Sequence, residues 1–277
     1  MGCAGGHFRN LEKQLIRMNL QVIKIGGNII DDESRLHSFL SEFAAIPSPK
    51  ILVHGGGKLA TRLGEQLGIP QQLKDGRRIT DQETLKVVTM VYAGYVNKTI
   101  VALLQSFGCN CLGVSGADAN FIRSHKRESS SIDYGFAGDI DEVNLDFLEK
   151  CIERKLDLVV APITHDRKGQ LLNTNADTIA QEIAKTAASR YRTELIYVFE
   201  KSGVLLNADD DSTVIRSLNR VRYAELKNSG AIFSGMIPKL DNAFSALEHK
   251  VSKVIIGKSE HLKTLSSGDA GTVITIE

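Results

Sequence analysis

The chain predicts an α/β fold: an open, mainly parallel sheet sandwiched by helices, with inserted hairpins. Three observations carry this. Apolar runs of strand length alternate with helical patterns almost from end to end. The runs are apolar at nearly every position, as strands covered on both faces are. Glycines stand where the first two runs end, at the carboxyl edge where ligands of open α/β sheets bind.

In chain order, residues 20–25 read as the first strand. An Asp31 or Asp32 cap then opens a helix to about Ala45. Residues 50–54 form the second strand, and the helix at 58–67 starts at a triple glycine. A long helix at 82–107 is capped by Thr80 or Asp81, and 109–115 is another strand. Helix 145–154, strand 156–163, helix 176–189 and strand 194–199 continue the alternation. Helices near 223–229 and 238–250 and strands 253–256 and 272–276 complete it. Three stretches break the rhythm: 71–80 around Asp75-Gly76, 121–139, and 164–172 around Lys168-Gly169. Each has turn chemistry between short extended segments and predicts a hairpin beside the sheet.

With 277 residues the chain can bury one large core or two lobes, with a hinge near 185–193. A net charge of +1 with no basic, aromatic-interleaved stripe argues against nucleic acid. Apolar runs such as 158–163 and 99–104 are too short to span a bilayer, so no membrane partner is expected. Cys3, Cys109, Cys111 and Cys151 follow no metal spacing and read as reduced thiols of a cytoplasmic protein. Met18 directly precedes the first strand. Residues 1–19 are therefore set apart as an N-terminal extension, native or not.

The candidate chemistry is anion handling. Lys24 lies in V-I-K-I-G-G (22–27) and Lys239 in S-G-M-I-P-K (234–239), while V-H-G-G-G (53–57) runs from a strand straight into glycines. Glycines let backbone N–H groups approach phosphate or carboxylate oxygens, and a lysine beside them adds a point charge. Gly26-Gly27 alone could be an ordinary tight turn. Three glycines at 55–57 exceed what a turn needs, and their N–H groups lie at the positive end of the next helix. His54 reads as a satisfied strand-end histidine. Arg78, in D-G-R-R-I-T (75–80), is either a surface charge or a bidentate carboxylate clamp, and one of Arg77 and Arg78 should face solvent. Asn175 reads as a helix cap. Asp177, in L-N-T-N-A-D-T (172–178), is the best carboxylate to hold two lysines together on one phosphate.

These motifs, in this order, resemble the amino-acid kinase family, most closely its acetylglutamate kinase branch. The matching elements are K-I-G-G (24–27), H-G-G-G (54–57), R-I-T (78–80), Asn97-Lys98, N-T-N-A-D (173–177) and G-M-I-P-K (235–239). The resemblance implies the amino-acid kinase fold and phosphorylation, by MgATP, of the side-chain carboxylate of N-acetyl-L-glutamate in arginine biosynthesis. Lys24 and Lys239 would stabilise the moving phosphoryl group and Asp177 would organise both. Gly56, Gly57, Arg78 and Asn173 would hold the acyl-amino acid. Gly26, Gly27, Glu200, Lys201, Ser202, Gly203, Gly235 and Met236 would contact the nucleotide, with Mg2+ held through the ATP phosphates. Residues 20–187 would form an acyl-amino-acid lobe with a homodimer seam on the long helix, and 188–277 an ATP lobe.

Three stretches depart from the family. Glu200-Lys201 replaces a small hydroxyl residue and an aspartate. S-G-A-D-A-N (115–120) differs from the usual substrate-side strand end. Residues 11–17 lack the aromatic N-terminal helix of arginine-inhibited members, so arginine inhibition is not implied. Small residues at 116, 117 and 119, with Arg123, His125, Lys126 and Arg127 nearby, keep N-succinyl-L-glutamate as an alternative acceptor. A non-catalytic metabolite sensor is the alternative of another class, opposed by the intact Lys24, Asp177 and Lys239.

Overall fold

In the computed structural model the described residues are 18–74, 77–207, 209–232 and 236–276. Strand β1 (Asn19–Ile25) runs into a one-turn helix α1 (Gly27–Ile30) and then α2 (Glu33–Ala45), whose cap Asp32 accepts the Arg35 N–H at 3.0 Å. Strand β2 (Lys50–His54) is buried at all five positions and feeds α3 (Gly57–Gln66). An antiparallel pair, β3 (Gln72–Lys74) and β4 (Arg77–Ile79), precedes the long helix α4 (Gln82–Ser106), capped by Asp81. The turn predicted at Asp75-Gly76 lies outside the described residues.

Then follow β5 (Cys111–Val114), the antiparallel β6 (Ile122–Lys126) and β7 (Ala137–Val143), α5 (Leu145–Glu153) and β8 (Asp157–Val160). Next come the antiparallel β9 (Ile163–His165) and β10 (Leu171–Thr174), α6 (Ala176–Ala187) and β11 (Arg192–Phe199). The remainder is β12 (Ser217–Leu218), α7 (Arg220–Asn228), α8 (Ile237–Glu248), β13 (Lys253–Lys258), α9 (Leu262–Ser267) and β14 (Thr272–Ile274).

Eight strands form one sheet in the order β12-β14-β13-β11-β1-β2-β8-β5, parallel except at β13–β14. The open, mainly parallel sheet is as predicted. Its two faces bury separate apolar clusters: α6 and α8 cover one, and α2 and α4 the other. The sheet runs unbroken through β11 and β1, so residues on both sides of the predicted hinge share it.

The structure corrects the expectations in three places. The run 156–163 is two strands, because Pro162 offers no N–H to continue the ladder and the chain leaves the main sheet. The second and third inserted hairpins join into one four-stranded sheet that closes on itself, β10-β7-β6-β9. Helix α4 is interrupted by a π-helical segment, Met90–Val96. By length and composition α4 could cross a bilayer, which the short-run argument overlooked. Leu85, Val88, Val91, Val96, Ile100 and Leu104 nevertheless pack it against the sheet. Cys109, Cys111 and Cys151 are buried free thiols, as expected, and Cys3 lies outside the described residues.

Candidate active site

Strands β1 and β2 are adjacent and parallel, so the glycines that follow them come side by side. A Cβ built on Gly55 would lie 3.8 Å from the Gly27 nitrogen, and one on Gly27 would lie 4.0 Å from the Gly57 nitrogen. No side chain caps α3, whose first N–H groups have no intrahelical acceptor. Gly56 has φ +146°, a conformation that glycine permits, and a Cβ built on it would lie 2.9 Å from Tyr92 Cδ1. The N–H of Gly26, expected to meet phosphate, is instead committed to Val198 O at 3.2 Å. It extends the β1–β11 ladder by one residue.

Lys24 and Asp177 reach the same point from β1 and from the first turn of α6. Lys24 Nζ stands 2.7 Å from Asp177 Oδ1, and Lys239 Nζ, from α8, donates to Oδ2 at 2.8 Å. Asn175 Oδ1 caps α6 by accepting the N–H groups of Asp177 and Thr178, at 2.8 and 3.2 Å. Burial alone would raise the Asp177 pKa. The two ammonium charges and their hydrogen bonds outweigh it and hold the carboxyl well below its usual range.

Lys24 and Asp177 line a cavity of about 190 Å³ together with Gly56, Gly57, Arg78 and Asn173. Arg78 is 7% exposed, so it is no surface charge. Its Nη2 donates to Gly57 O at 2.9 Å and Thr61 Oγ1 at 2.8 Å, and its Nη1 to Gln71 Oε1. Asn173 Nδ2 donates to Thr80 Oγ1 at 3.0 Å. Nor does Arg77 face solvent, so neither arginine of the pair is the expected solvent-facing one. It is half-buried on the same cavity wall, its pKa lowered by burial and then by the neighbouring Arg127.

Across the glycines lies a second cavity, lined by Gly26, Gly27, Lys58, Arg62, Phe199 and Glu200 among others. Lys201, Ser202 and Gly203 continue the loop after Glu200 but line neither cavity. Gly203 packs where a Cβ would meet Thr272 Oγ1 at 2.5 Å. Met236 belongs to the apolar core with Tyr223, Leu240 and Phe244, and Gly235 lies outside the described residues.

His54 behaves as read from the sequence. It is fully buried, with Nδ1 2.7 Å from Gly55 O and Nε2 3.2 Å from Asn97 Nδ2. Burial lowers its pKa to about 4 against the opposing Gly55 contact, so the ring is neutral at pH 7. Asn97 is part of this support, since its amide also donates to Val159 O at 3.0 Å. Residues 115–120 do not line the cavity. The basic residues of the hairpin are each paired: Arg123 with Glu142 (3.3 Å), His125 with Asp141 (2.6 Å), Lys126 with Asp133 (3.6 Å) and Arg127 with Asp139 (2.8 Å). Sequence reasoning missed Tyr92, Leu73 and Pro162, apolar or aromatic residues whose place on the cavity wall depends on tertiary packing alone.

Two cations bridged by one carboxylate, with Lys24 and Asp177 on the cavity wall beside the glycine turn, form an arrangement suited to an anionic group such as phosphoryl. The chain belongs to the amino acid kinase family, whose model matches residues 19–258. It is 51% identical to acetylglutamate kinase of Parabacteroides distasonis, over 88% of this chain and 95% of that one. It is also 51% identical to acetylglutamate kinase of Phocaeicola vulgatus, over 94% and 99%. Among solved structures, smu.665 of Streptococcus mutans matches with TM-score 0.77 at 25% identity, covering 93% of this chain and 99% of that one. Giardia carbamate kinase, at TM-score 0.70 and 12% identity over 94% and 99%, shares the fold.

Proposed function

We propose that this chain transfers the γ-phosphoryl group of MgATP to the side-chain carboxylate of N-acetyl-L-glutamate, forming an acyl phosphate and ADP. The observation that carries this reading is Asp177 bridging Lys24 and Lys239, with Lys24 and Asp177 on the wall of the smaller cavity. The acceptor carboxylate is already ionised at neutral pH, so the reaction needs no general base, and His54 supplies none. A carboxylate oxygen forms the new bond to phosphorus as the bond to the ADP oxygen breaks. Lys24 and Lys239 balance the charge on the phosphoryl oxygens during transfer.

Arg78, Asn173 and the Gly56–Gly57 turn would hold the acyl-amino acid in the smaller cavity. Gly27 and Glu200 mark the nucleotide side. Both oxygens of Asp177 are engaged by lysines, which fits a Mg2+ held by ATP phosphates; the ion would neutralise charge on the β- and γ-phosphates. Placing the acceptor site in residues 20–187 and the ATP site in 188–277 belongs to the same proposal. So does a homodimer seam on the α4 face that exposes Met90 and Tyr95. A cytoplasmic setting is supported by the three buried free thiols.

One observation favours a second acceptor. Arg77 and Arg78 both line the cavity, and two guanidiniums would suit an acyl group with its own carboxylate, such as N-succinyl-L-glutamate. The hairpin residues Arg123, His125, Lys126 and Arg127, each paired with a carboxylate, no longer support it. Steady-state kinetics with MgATP and a panel of N-acyl-L-glutamates tests the reading. A kcat/KM for the acetyl compound equal to or above the others is expected. A preference of about ten- to a hundredfold for succinyl would transfer the assignment to that acceptor.

A further inference from the structure

A chain of hydrogen bonds runs from the protein surface to the glycine turn. It starts at the exposed Lys98, whose Nζ donates to Asn97 Oδ1 at 3.0 Å and to Gly113 O in β5 at 2.9 Å. Asn97 is buried and is the first residue of α4 after the π-helical stretch. Its Nδ2 meets Val159 O in β8 at 3.0 Å and His54 Nε2 at 3.2 Å. His54, the last residue of β2, ends the chain with Nδ1 2.7 Å from Gly55 O. Gly113 makes room for this arrangement. A Cβ there would collide with Asn97 Oδ1 and come within 3.1 Å of Lys98 Nζ, so a glycine in the strand lets the amide approach.

Both ends of the chain fix which atoms donate. An ammonium only donates and a backbone carbonyl only accepts. Asn97 therefore turns its oxygen to Lys98 and its amide nitrogen to Val159 O and His54. His54 Nε2 then accepts, and the single proton of the neutral ring sits on Nδ1 and is donated to Gly55 O. Gly55 O, itself only an acceptor, requires the same tautomer from the other end. Burial keeps the ring neutral at pH 7, opposed by the Gly55 contact and aided by the Lys98 charge. In a trans peptide the N–H points opposite to the C=O, so holding Gly55 O on the ring turns the Gly56 N–H away from it. Glycine stands on both sides of this peptide, which gives it little resistance of its own to flipping.

We propose that His54, oriented by Asn97 and Lys98, is a positioning residue for the acceptor: it locks the Gly55–Gly56 peptide with its N–H toward the cavity that these glycines line and its carbonyl away from it. This rests on the acyl-glutamate kinase reading above. A flipped peptide would set a carbonyl oxygen against the substrate carboxylate in place of a donor. A peptide held beforehand presents its N–H without reorganising when the anion arrives. The effect should appear in acceptor binding and leave the affinity for ATP nearly untouched.

The test compares full-length wild type, His54→Asn and His54→Gln by calorimetric binding of N-acetyl-L-glutamate and steady-state kinetics. Asparagine reaches the Nδ1 position and keeps a donor for Gly55 O; glutamine reaches the Nε2 position and keeps only the contact with Asn97. His54→Gln should raise Kd and KM for N-acetyl-L-glutamate about tenfold or more, with KM for ATP within about twofold. His54→Asn should stay within about threefold of wild type. A packing role predicts the reverse order, since glutamine is nearer to histidine in volume. That reverse order, equal losses, or a parallel rise in both KM values would overturn the proposal. In wild type the 15N shifts of the His54 ring should show a protonated Nδ1 and a bare Nε2; the other tautomer would also overturn it. Where neither His54 variant folds, Lys98→Met at the exposed end decides: Kd raised about two- to fourfold supports the proposal and an unchanged Kd overturns it. Wild type that binds N-acetyl-L-glutamate without turning it over would defeat the activity reading alone, with His54 then decided by Kd. Wild type that does neither overturns both.

Discussion

Lys239 Nζ donates to Asp177 Oδ2 at 2.8 Å, across 62 residues of sequence. The other oxygen of the same carboxylate faces Lys24 Nζ at 2.7 Å, so one side chain fixes two ammonium groups that would otherwise repel. Asp177→Asn leaves both lysines without their shared counter-charge. Its kcat should fall by about a hundredfold or more, with a smaller change in KM for ATP. A variant within about threefold of wild-type kcat would remove Asp177 from this role.

The same carboxylate makes a pH prediction. Its folded pKa lies below the unfolded value of about 3.9, so its contribution to stability is present above that value and is lost as pH falls through the folded pKa. The difference in thermal midpoint between wild type and Asp177→Asn should be widest above about pH 4 and close at lower pH. A gap that widens with acidification would contradict the sign.

Lys24→Ala and Lys239→Ala should each lower kcat by about a hundred- to a thousandfold, more than they raise KM for ATP. In the proposed mechanism both charges act chiefly on the transferring group. Saturation kinetics at several ATP concentrations separates the two parameters. Either variant retaining near wild-type kcat takes that lysine out of the mechanism.

Arg78→Lys keeps the charge and loses the fork that meets Gln71, Thr61 and Gly57. KM for the acyl-amino acid should rise about tenfold while KM for ATP stays nearly unchanged. The neighbouring Arg77 is half-buried and does not face solvent as one of the pair was expected to. Since it lines the same cavity, Arg77→Lys should have a smaller but measurable effect on the acceptor. Indistinguishable behaviour of the two variants would show that Arg78 is not the clamp.

Gly56→Ala places a methyl group 2.9 Å from Tyr92 Cδ1 at φ +146°. Strain of about 1–3 kcal/mol is expected, seen as a lower thermal midpoint together with a raised acceptor KM. A fully stable, fully active variant would mean that the turn does not need this conformation.

Much of this was legible in the sequence because it is local. Apolar runs placed β1, β2 and β11, and Asp32, Asp81 and Asn175 cap helices as their residue types predict. The ordered motifs also brought Lys24, Asp177 and Lys239 together before any geometry was known. What stayed hidden depends on distant pairing. Nothing local says that β6–β7 and β9–β10 close into one sheet, or that Arg77 turns toward the cavity beside Arg127. The commitment of the Gly26 N–H to Val198 follows from the β1–β11 pairing across the chain. Helix α9 carries only Leu262 and Leu265 as buried apolar residues, too few to show a period.

In the proposed reaction a carboxylate oxygen accepts the phosphoryl group. Trapping with hydroxylamine tests it directly, because an acyl phosphate yields a hydroxamate whereas a phosphate ester does not. With MgATP and N-acetyl-L-glutamate, hydroxamate should accumulate in proportion to ADP and require both substrates. ADP release without hydroxamate, or no turnover at all, would contradict the claim.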